Sequence, residues 1–391
     1  MTAGTQVAGL EDLLPVSTLA QDVAATVELA RVWEPGGDEG QAATIIALIP
    51  AHNEETSIAA TVASMLAQDL KPDRILVICD NCTDDTEAVA RKAGADTFVT
   101  VGNVHKKAGA LNQALAAVLP DLADSDLLLL QDADTLLNPG FSKAAINAMS
   151  DDVGGVCAQY DMATPRNFLE RMQGSEFARS RRRIGRKDGR TKILVGIAAM
   201  FTAGKLREVI AARKAGILPG DPAVYMEMSL TEDYELSLAF RTLGYRLVCP
   251  DGCRPRTHAM PTLAKLWHQR VRWSRGGLDD LYVYGVTRTT AAYVADQTGR
   301  TLTMLTPFVY LAYLISLKLT YGHITWALPW LLINVLFVGE RVITVRREGW
   351  RAMCVSLLLV PDLLYDWFMA AAYVSGLTKH LRGSATQWHE T

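Results

Sequence analysis

The stretch "DLLLLQDADTLLNP", residues 126–139, sets four consecutive leucines against two aspartates separated by one alanine. An apolar run this short, closed by a Pro-containing turn, reads as a strand buried in a parallel sheet. Asp132 and Asp134 then fall where the strand runs out. On an extended chain, side chains two apart point to the same side, so two carboxylates lie close together against low-dielectric protein. Such a pair either holds a cation or caps the helix that follows, and the rest of the chain has to decide between the two.

Upstream the chain alternates strand and helix. "TIIALIP" (44–50), "RILVICD" (74–80) and "DTFVTV" (96–101) read as strands. "ETSIAATVASMLAQ" (55–68), "TDDTEAVARKAG" (83–94) and "KKAGALNQALAAVL" (106–119) read as the helices between them. Repeated βα units imply an α/β fold with a parallel sheet covered on both faces, and such sheets bind ligands at the carboxyl ends of their strands. Pro50 to Glu54, Asp80 and the Asp132–Asp134 pair all lie at strand ends, so three polar clusters converge on one cleft. Downstream, "ILVGIAAMFT" (193–202) reads as another buried strand and "TEDYELSLAFRTLG" (231–244) as a helix opening on two carboxylates. "YRLVCPDG" (245–252) is a strand and turn, and "TLAKLWHQRVRWSRGGLDDLYVYG" (262–285) a long helix rich in cations and aromatics.

The formal net charge of −3 over 391 residues removes any global charge argument for nucleic acid. The cationic run "ARSRRRIGRKDGR" (178–190) lacks the clustered aromatics of a base-stacking platform and reads either as a solvated charge run or as a segment attracted to anionic lipid headgroups. Six cysteines at this length imply reduced thiols in a cytoplasmic compartment. Cys79 and Cys82, with Cys249 and Cys253, are poorly placed for zinc, because Cys79 ends a strand and the later pair flanks a Pro-Asp-Gly turn. The first thirty residues carry no Lys or Arg, which excludes a secretory signal, and residues 1–43 read as an N-terminal helical arm.

The C-terminal third differs. Residues 301–317 and 319–339 carry no formal charge and are separated only by Lys318, while 352–378 contains just Asp362 and Asp366. Each approaches the ~20 residues that cross a bilayer as helix. Arg341, Arg346, Arg347 and Arg351 between the second and third segments place that loop on the cytoplasmic side. The third segment either spans within a bundle or lies at the interface. The expectation is a membrane region over 301–391 with two to three hydrophobic helices, a multi-pass inner or plasma membrane location, a cytoplasmic catalytic domain, and homo-oligomer contacts through the membrane region.

"PAHNEE" (50–55), "CDNCTDDT" (79–86), "HKKAGALN" (105–112), "QDAD" (131–134), "TED" (231–233) and "QRVRW" (269–273) occur in an order that resembles the membrane-bound family-2 glycosyltransferases, the group of cellulose, hyaluronan and poly-N-acetylglucosamine synthases. The resemblance spans about residues 44–280. It implies a GT-A-type nucleotide-sugar-binding domain over 44–260, an interfacial helix segment over 261–300, and then the membrane helices. The implied activity is inverting hexosyl or N-acetylhexosaminyl transfer from a nucleotide sugar, a UDP-sugar, to a glycan or membrane-associated acceptor. Two alternatives stay open. One is single-sugar transfer to polyprenyl phosphate or a glycolipid, because three hydrophobic segments are fewer than a polymer channel in that group has. The other is a non-catalytic nucleotide-sugar-binding membrane scaffold, against which intact Asp134 and Asp233 argue.

The resemblance also implies roles. Pro50, His52, Asn53 and Glu54 line the nucleotide pocket, Asp80 accepts hydrogen bonds from base or ribose, and Lys107 pairs with phosphate. Asp132 lies near the donor and Asp134 contacts the metal. Breaking the sugar–oxygen bond develops negative charge on a diphosphate, which a divalent cation neutralises, and hard oxygen ligands favour Mn²⁺ or Mg²⁺. Asp233 is the candidate base, with Glu232 next. Removing the acceptor proton during a single in-line displacement inverts the anomeric configuration, so an α-linked donor gives a β-glycoside. "TED" also reads as an N-cap threonine with two acids on the helix dipole, and Asp80 as an Asx-type cap of a helix starting at Thr83. Gln269, Arg272 and Trp273 share one helix face at i, i+3 and i+4. Gln269 and Arg272 are donor-binding candidates, Arg272 by forking onto phosphate, and Trp273 offers a ring on which an acceptor sugar stacks.

Overall fold

The strand inside the opening stretch is β4 (Leu127–Gln131), every residue of it buried. It pairs in parallel with β1 (Ile45–Ala51), which pairs in parallel with β2 (Arg74–Cys79), and that with β3 (Asp96–Val99). The computed structural model describes residues 43–323 apart from 186 and 188, scattered positions between 335 and 346, and 350–383 apart from 358 and 359. The expected N-terminal arm, residues 324–334 of the second hydrophobic segment, and Arg341 and Arg347 of the cationic loop lie outside the described residues.

The other edge of β4 corrects the all-parallel expectation. Its neighbour β8 (Ala198–Thr202) runs antiparallel to it and to β5 (Val153–Cys157), followed by β9 (Arg246–Val248) and the two-residue edge strand β7 (Arg190–Thr191). An apolar run reports burial on both faces, and either neighbour direction satisfies that. A two-stranded sheet, β6 (Asp161–Met162) with β10 (Arg256–Thr257), lies apart.

Alternation along the strands divides the core. Ile46, Leu48, Leu128 and Leu130 enter one apolar cluster, while Ile45, Ala47, Ile49, Leu127 and Leu129 enter the other. Helices α3 (Lys106–Val118), α6 (Ala203–Lys214) and α7 (Glu232–Thr242) cover the first. Helices α1 (Ile58–Leu66) and α4 (Phe141–Ala148) cover the second, and the short α2 (Thr86–Lys92) flanks it. Cys79 and Cys253 are buried in the second cluster and Cys249 in the first, so the four cysteines weighed for zinc do not converge.

Two strand expectations shorten. β4 stops at Gln131, so Asp132 and Asp134 occupy a turn and not an extended chain; of 193–202 only the last five residues form strand, and the rest is a loop under the cleft.

The first part of the cationic run, residues 178–185, ends α5 (Phe168–Gly185), where Arg181 is held by the Tyr160 carbonyl at 2.7 Å and by Asp161 at 3.2 Å; Arg190 at its far end lies in β7. Helix α8 (Leu263–Tyr284) carries "QRVRW". Along it lies α11 (Val360–Leu381), which follows the short α10 (Trp350–Leu357). A Cβ at Gly376 would stand 3.0 Å from the Val271 carbonyl, so the α8 and α11 backbones cross closely there, and Tyr365 donates to Glu176 of α5 at 2.8 Å. The third hydrophobic segment therefore packs on helices α5 and α8. Helix α9 (Ala291–Tyr321) runs unbroken across residue 300. It is the single helix among the described residues long and apolar enough to cross a membrane, and Val309, Leu311, Tyr313, Ile315 and Leu319 on it are exposed.

Candidate active site

The turns after the first three strands form one wall. Asn53 (φ 56°), Asn81 (φ 49°) and Lys106 (φ 54°) all adopt left-handed backbone there. A non-glycine residue in that region costs roughly 1–3 kcal/mol and concentrates at functional sites. Pro50 lines the cleft. His52 places Nδ1 2.6 Å from the Asp80 carbonyl, Asn53 Oδ1 accepts the Thr83 N–H at 2.8 Å, and the Glu54 N–H donates to Thr86 Oγ1 at 2.7 Å.

Asp80 is buried, and its Oδ1 accepts from the Thr100 hydroxyl at 2.7 Å and the Asn103 amide at 2.8 Å. It ties the ends of β2 and β3 together and caps no helix: α2 starts at Thr86, whose N–H goes to Asp84 at 3.1 Å.

Lys107, in the first turn of α3, joins the two halves of the cleft. Its Nζ stands 2.6 Å from Asp132 Oδ1, 3.0 Å from Glu232 Oε1 and 3.3 Å from the Gly196 carbonyl. Burial alone would lower this ammonium, but Asp132 and Glu232 raise it well above its ordinary value. Glu232 is the reciprocal case: burial would push it up, and Lys107 and Arg272 hold it below the usual carboxylate range. The second candidate base is thus ionised in an ion pair.

Asp233, its neighbour, is pushed up to about 6 by burial and by the Glu232 charge. Its Oδ2 accepts the Gly196 N–H at 3.0 Å and its Oδ1 the Tyr234 N–H at 2.8 Å. Adjacent carboxyls with values pushed apart are the usual sign of divided acid–base roles. Thr231 occupies the N-cap position of α7 but makes no side-chain cap bond, since its hydroxyl donates to Asp280 at 2.9 Å. Both acids still sit in the first turn, on the positive end of the helix dipole.

Asp134 is pushed up to about 6 by burial, then by Asp132 and Glu54. This concentration of hard oxygens fits a divalent cation. Among the described residues no three His, Cys, Asp or Glu converge as a complete metal cage. Mg²⁺-type cations are commonly held by one or two carboxylates together with substrate phosphates, which is the donor set Asp134 and Asp132 would offer.

On α8, Arg272 donates to the Leu230 carbonyl at 3.2 Å, just before "TED". Gln269 is half-buried. Trp273 carries the Arg270 guanidinium 4.4 Å over its ring, so that face of the expected stacking platform is already occupied.

Four contributing residues escaped the sequence reading. Gly196 approaches Asp233 so closely that a Cβ there would meet the carboxylate oxygen at 3.0 Å; the available signal was a glycine inside an apolar run. Tyr225 lines the cleft, its backbone held by Asn112 through bonds of 2.9 and 3.0 Å. Arg213 and Glu235, both fully buried and 2.8 Å apart, anchor α7 from below. Arg213 also binds the carbonyls of Ala223 and Val224 ahead of Tyr225. No local pattern marked them.

Residues 42–276 match the family model described as glycosyltransferase like family 2. A poly-β-1,6-N-acetyl-D-glucosamine synthase of Staphylococcus aureus is 26% identical over 235 residues, 59% of this chain and 53% of that protein. The synthase of the same description from Staphylococcus epidermidis is 25% identical over 238 residues, with the same two shares, 59% and 53%. The chain thus spans about half the length of these relatives. A mannosyltransferase from Pyrobaculum calidifontis in complex with GDP-Man and Mn²⁺ superimposes with a TM-score of 0.53 at 17% identity, covering 94% of this chain and 98% of that one, and so shares its fold. The matched stretch contains all six motifs and every residue that forms the cleft: this chain belongs to the family-2 glycosyltransferases.

Proposed function

We propose that this chain transfers a hexosyl or N-acetylhexosaminyl unit from a UDP-sugar to a glycan or membrane-associated acceptor, inverting the donor to form a β-glycoside. The observation that carries the reading is the division of labour in "TED". Glu232 is committed to Lys107, while Asp233, fixed by the Gly196 N–H and pushed up to about 6, is poised to take a proton near neutral pH. The relatives that make poly-β-1,6-N-acetyl-D-glucosamine support an N-acetylhexosamine as the sugar.

Pro50, His52, Asn53, Glu54 and Asp80 line the nucleotide side. Lys107 and Arg272 bring positive charge toward the diphosphate, with Gln269 on the same helix face as Arg272. Asp134 with Asp132 would hold Mn²⁺ or Mg²⁺, as the mannosyltransferase of shared fold holds Mn²⁺ with its GDP-Man. When bound, that cation neutralises charge developing on the departing diphosphate. Asp233 accepts the acceptor hydroxyl proton while Gly196 keeps the carboxylate oriented, and Trp273 contacts the acceptor.

The exposed apolar residues of α9 support insertion in a lipid bilayer. The proposal further places the catalytic domain on the cytoplasmic side and homo-oligomer contacts in the membrane region. The test is UDP release by detergent-purified protein from a panel of UDP-sugars with Mn²⁺, with and without glycan and lipid acceptors. Acceptor-dependent release from one donor is the expected result. No release from any of them removes the proposal.

A further inference from the structure

The loop that delivers Asp233 to the cleft is gripped by one stripe of α8. Arg272, Gly276 and Asp280 recur at intervals of four, so they share a face of that helix. Arg272 donates to the Leu230 carbonyl at 3.2 Å. Gly276 lets the loop come in: a Cβ there would meet Thr231 Oγ1 at 2.6 Å and Leu230 Cβ at 3.0 Å. Asp280, 1% exposed, accepts from the hydroxyls of Ser229 at 3.0 Å and Thr231 at 2.9 Å, and the Ser229 oxygen in turn accepts the Thr231 N–H at 3.0 Å. Both hydroxyls of the Ser229–Thr231 turn are therefore committed to α8 and neither caps α7, while the Thr231 carbonyl accepts the Glu235 N–H at 3.0 Å and so opens the backbone ladder of α7.

A carboxyl is costly to bury unless hydrogen bonds offset its desolvation, and here two hydroxyls supply them. Because Thr231 immediately precedes Glu232 and Asp233, whatever fixes Thr231 fixes where the first turn of α7 begins.

We infer that Asp280 is a positioning residue for sugar transfer: through Thr231 and Ser229 it sets the placement of the Asp233 carboxylate, and makes that placement depend on the seating of α8. The inference rests on the reading of Asp233 as the base. It assigns Asp280 no contact with either substrate.

The test compares wild type with Asp280→Leu, Asp280→Asn, Thr231→Val and the Asp280→Leu/Thr231→Val pair, in detergent-solubilised full chain. Asn keeps a carbonyl oxygen for the two hydroxyls; Leu does not. Misplacing a reacting group by 1 Å can cost about 10²-fold, so Asp280→Leu should lower kcat by about tenfold or more, with UDP affinity within about twofold of wild type. Asp280→Asn should recover most of that loss. The Leu and Val losses should be non-additive, because they break one contact from its two ends. Should the Leu variant fail to fold, Thr231→Val alone still removes one of the two hydroxyls and must show the same kcat-only loss. Unchanged kcat, or a loss confined to UDP affinity, overturns the inference. Hydrogen exchange of amides 231–234 gives a reading independent of turnover: faster exchange in the variants supports the contact, and unchanged exchange overturns it. If wild type itself transfers no sugar, the base assignment falls, and exchange alone decides whether Asp280 holds the turn.

Discussion

The Gly196 N–H points at Asp233 Oδ2 from 3.0 Å, and a Cβ added at 196 would stand 3.0 Å from that same oxygen. The backbone of one loop thus both orients the candidate base and leaves no room for a side chain beside it. Gly196→Ala should push the carboxylate aside and lower kcat by about ten- to a hundredfold. UDP affinity should stay near wild type. Steady-state kinetics beside a UDP titration measure both, and an unaltered kcat would show that this contact does not orient the base.

The pH profile should carry the signature of Asp233. Its carboxyl is pushed up to about 6 from the ordinary 3.8 by burial and the Glu232 charge. Only the ionised form accepts a proton, so kcat should rise as pH passes upward through about 6 and level off above it. Asp233→Asn should lower transfer by roughly 10² or more at every pH and erase that rise, with UDP-sugar binding retained. A variant that turns over within a few-fold of wild type would shift the role to Glu232.

Removal of the metal tests the aspartate pair. Asp134→Ala should weaken UDP binding measured in Mn²⁺ and change it little in EDTA, where neither protein has a cation to share with the diphosphate. Equal affinity of both proteins in saturating Mn²⁺ would detach Asp134 from the metal.

Below the cleft, Arg213 Nη2 reaches both oxygens of Glu235, and both side chains are fully buried. Arg213→Ala strands the Glu235 charge and should cost about 3–5 kcal/mol of stability. Replacing both with apolar residues of similar size, Arg213→Met with Glu235→Leu, should recover much of that loss. Thermal unfolding of the three proteins checks this, and a double variant no better than the single would mean that the bond Tyr284 donates to Glu235 at 2.5 Å and those Arg213 donates to the 223–224 carbonyls matter more than the stranded charge.

Much of the catalytic half was legible in residue order. The leucine run before Asp132, the βα alternation from Thr44 to Leu119, and the helices opening at "TED" and carrying "QRVRW" all rest on local periodicity and end signals, which the folded chain preserves within a few residues. Where the reading failed, the failure was equally physical. "ILVGI" is apolar because a loop beneath the cleft buries Leu194 and Ile197 and half-buries the rest, and burial of that kind looks much the same in a loop as in a strand. The direction of β8 was invisible for a like reason: an all-apolar strand is satisfied by a neighbour running either way.

The amino-acid sequence by itself determined which residues are candidates for the chemistry and roughly where along the chain most elements lie, because side-chain period, turn residues and charge are properties of neighbours. Only the tertiary structure decided how those residues are spent. Lys107 bridges Asp132 and Glu232, Thr231 turns from capping α7 to meet Asp280, and Arg270 covers the ring of Trp273. Of these, the first two join residues far apart in the chain, and the third turns on which helix face is buried. A hydrogen-bonding group buried on folding takes whichever partner the packed backbone brings within about 3 Å. That choice is made by the closure of distant segments, so no local pattern in the chain records it.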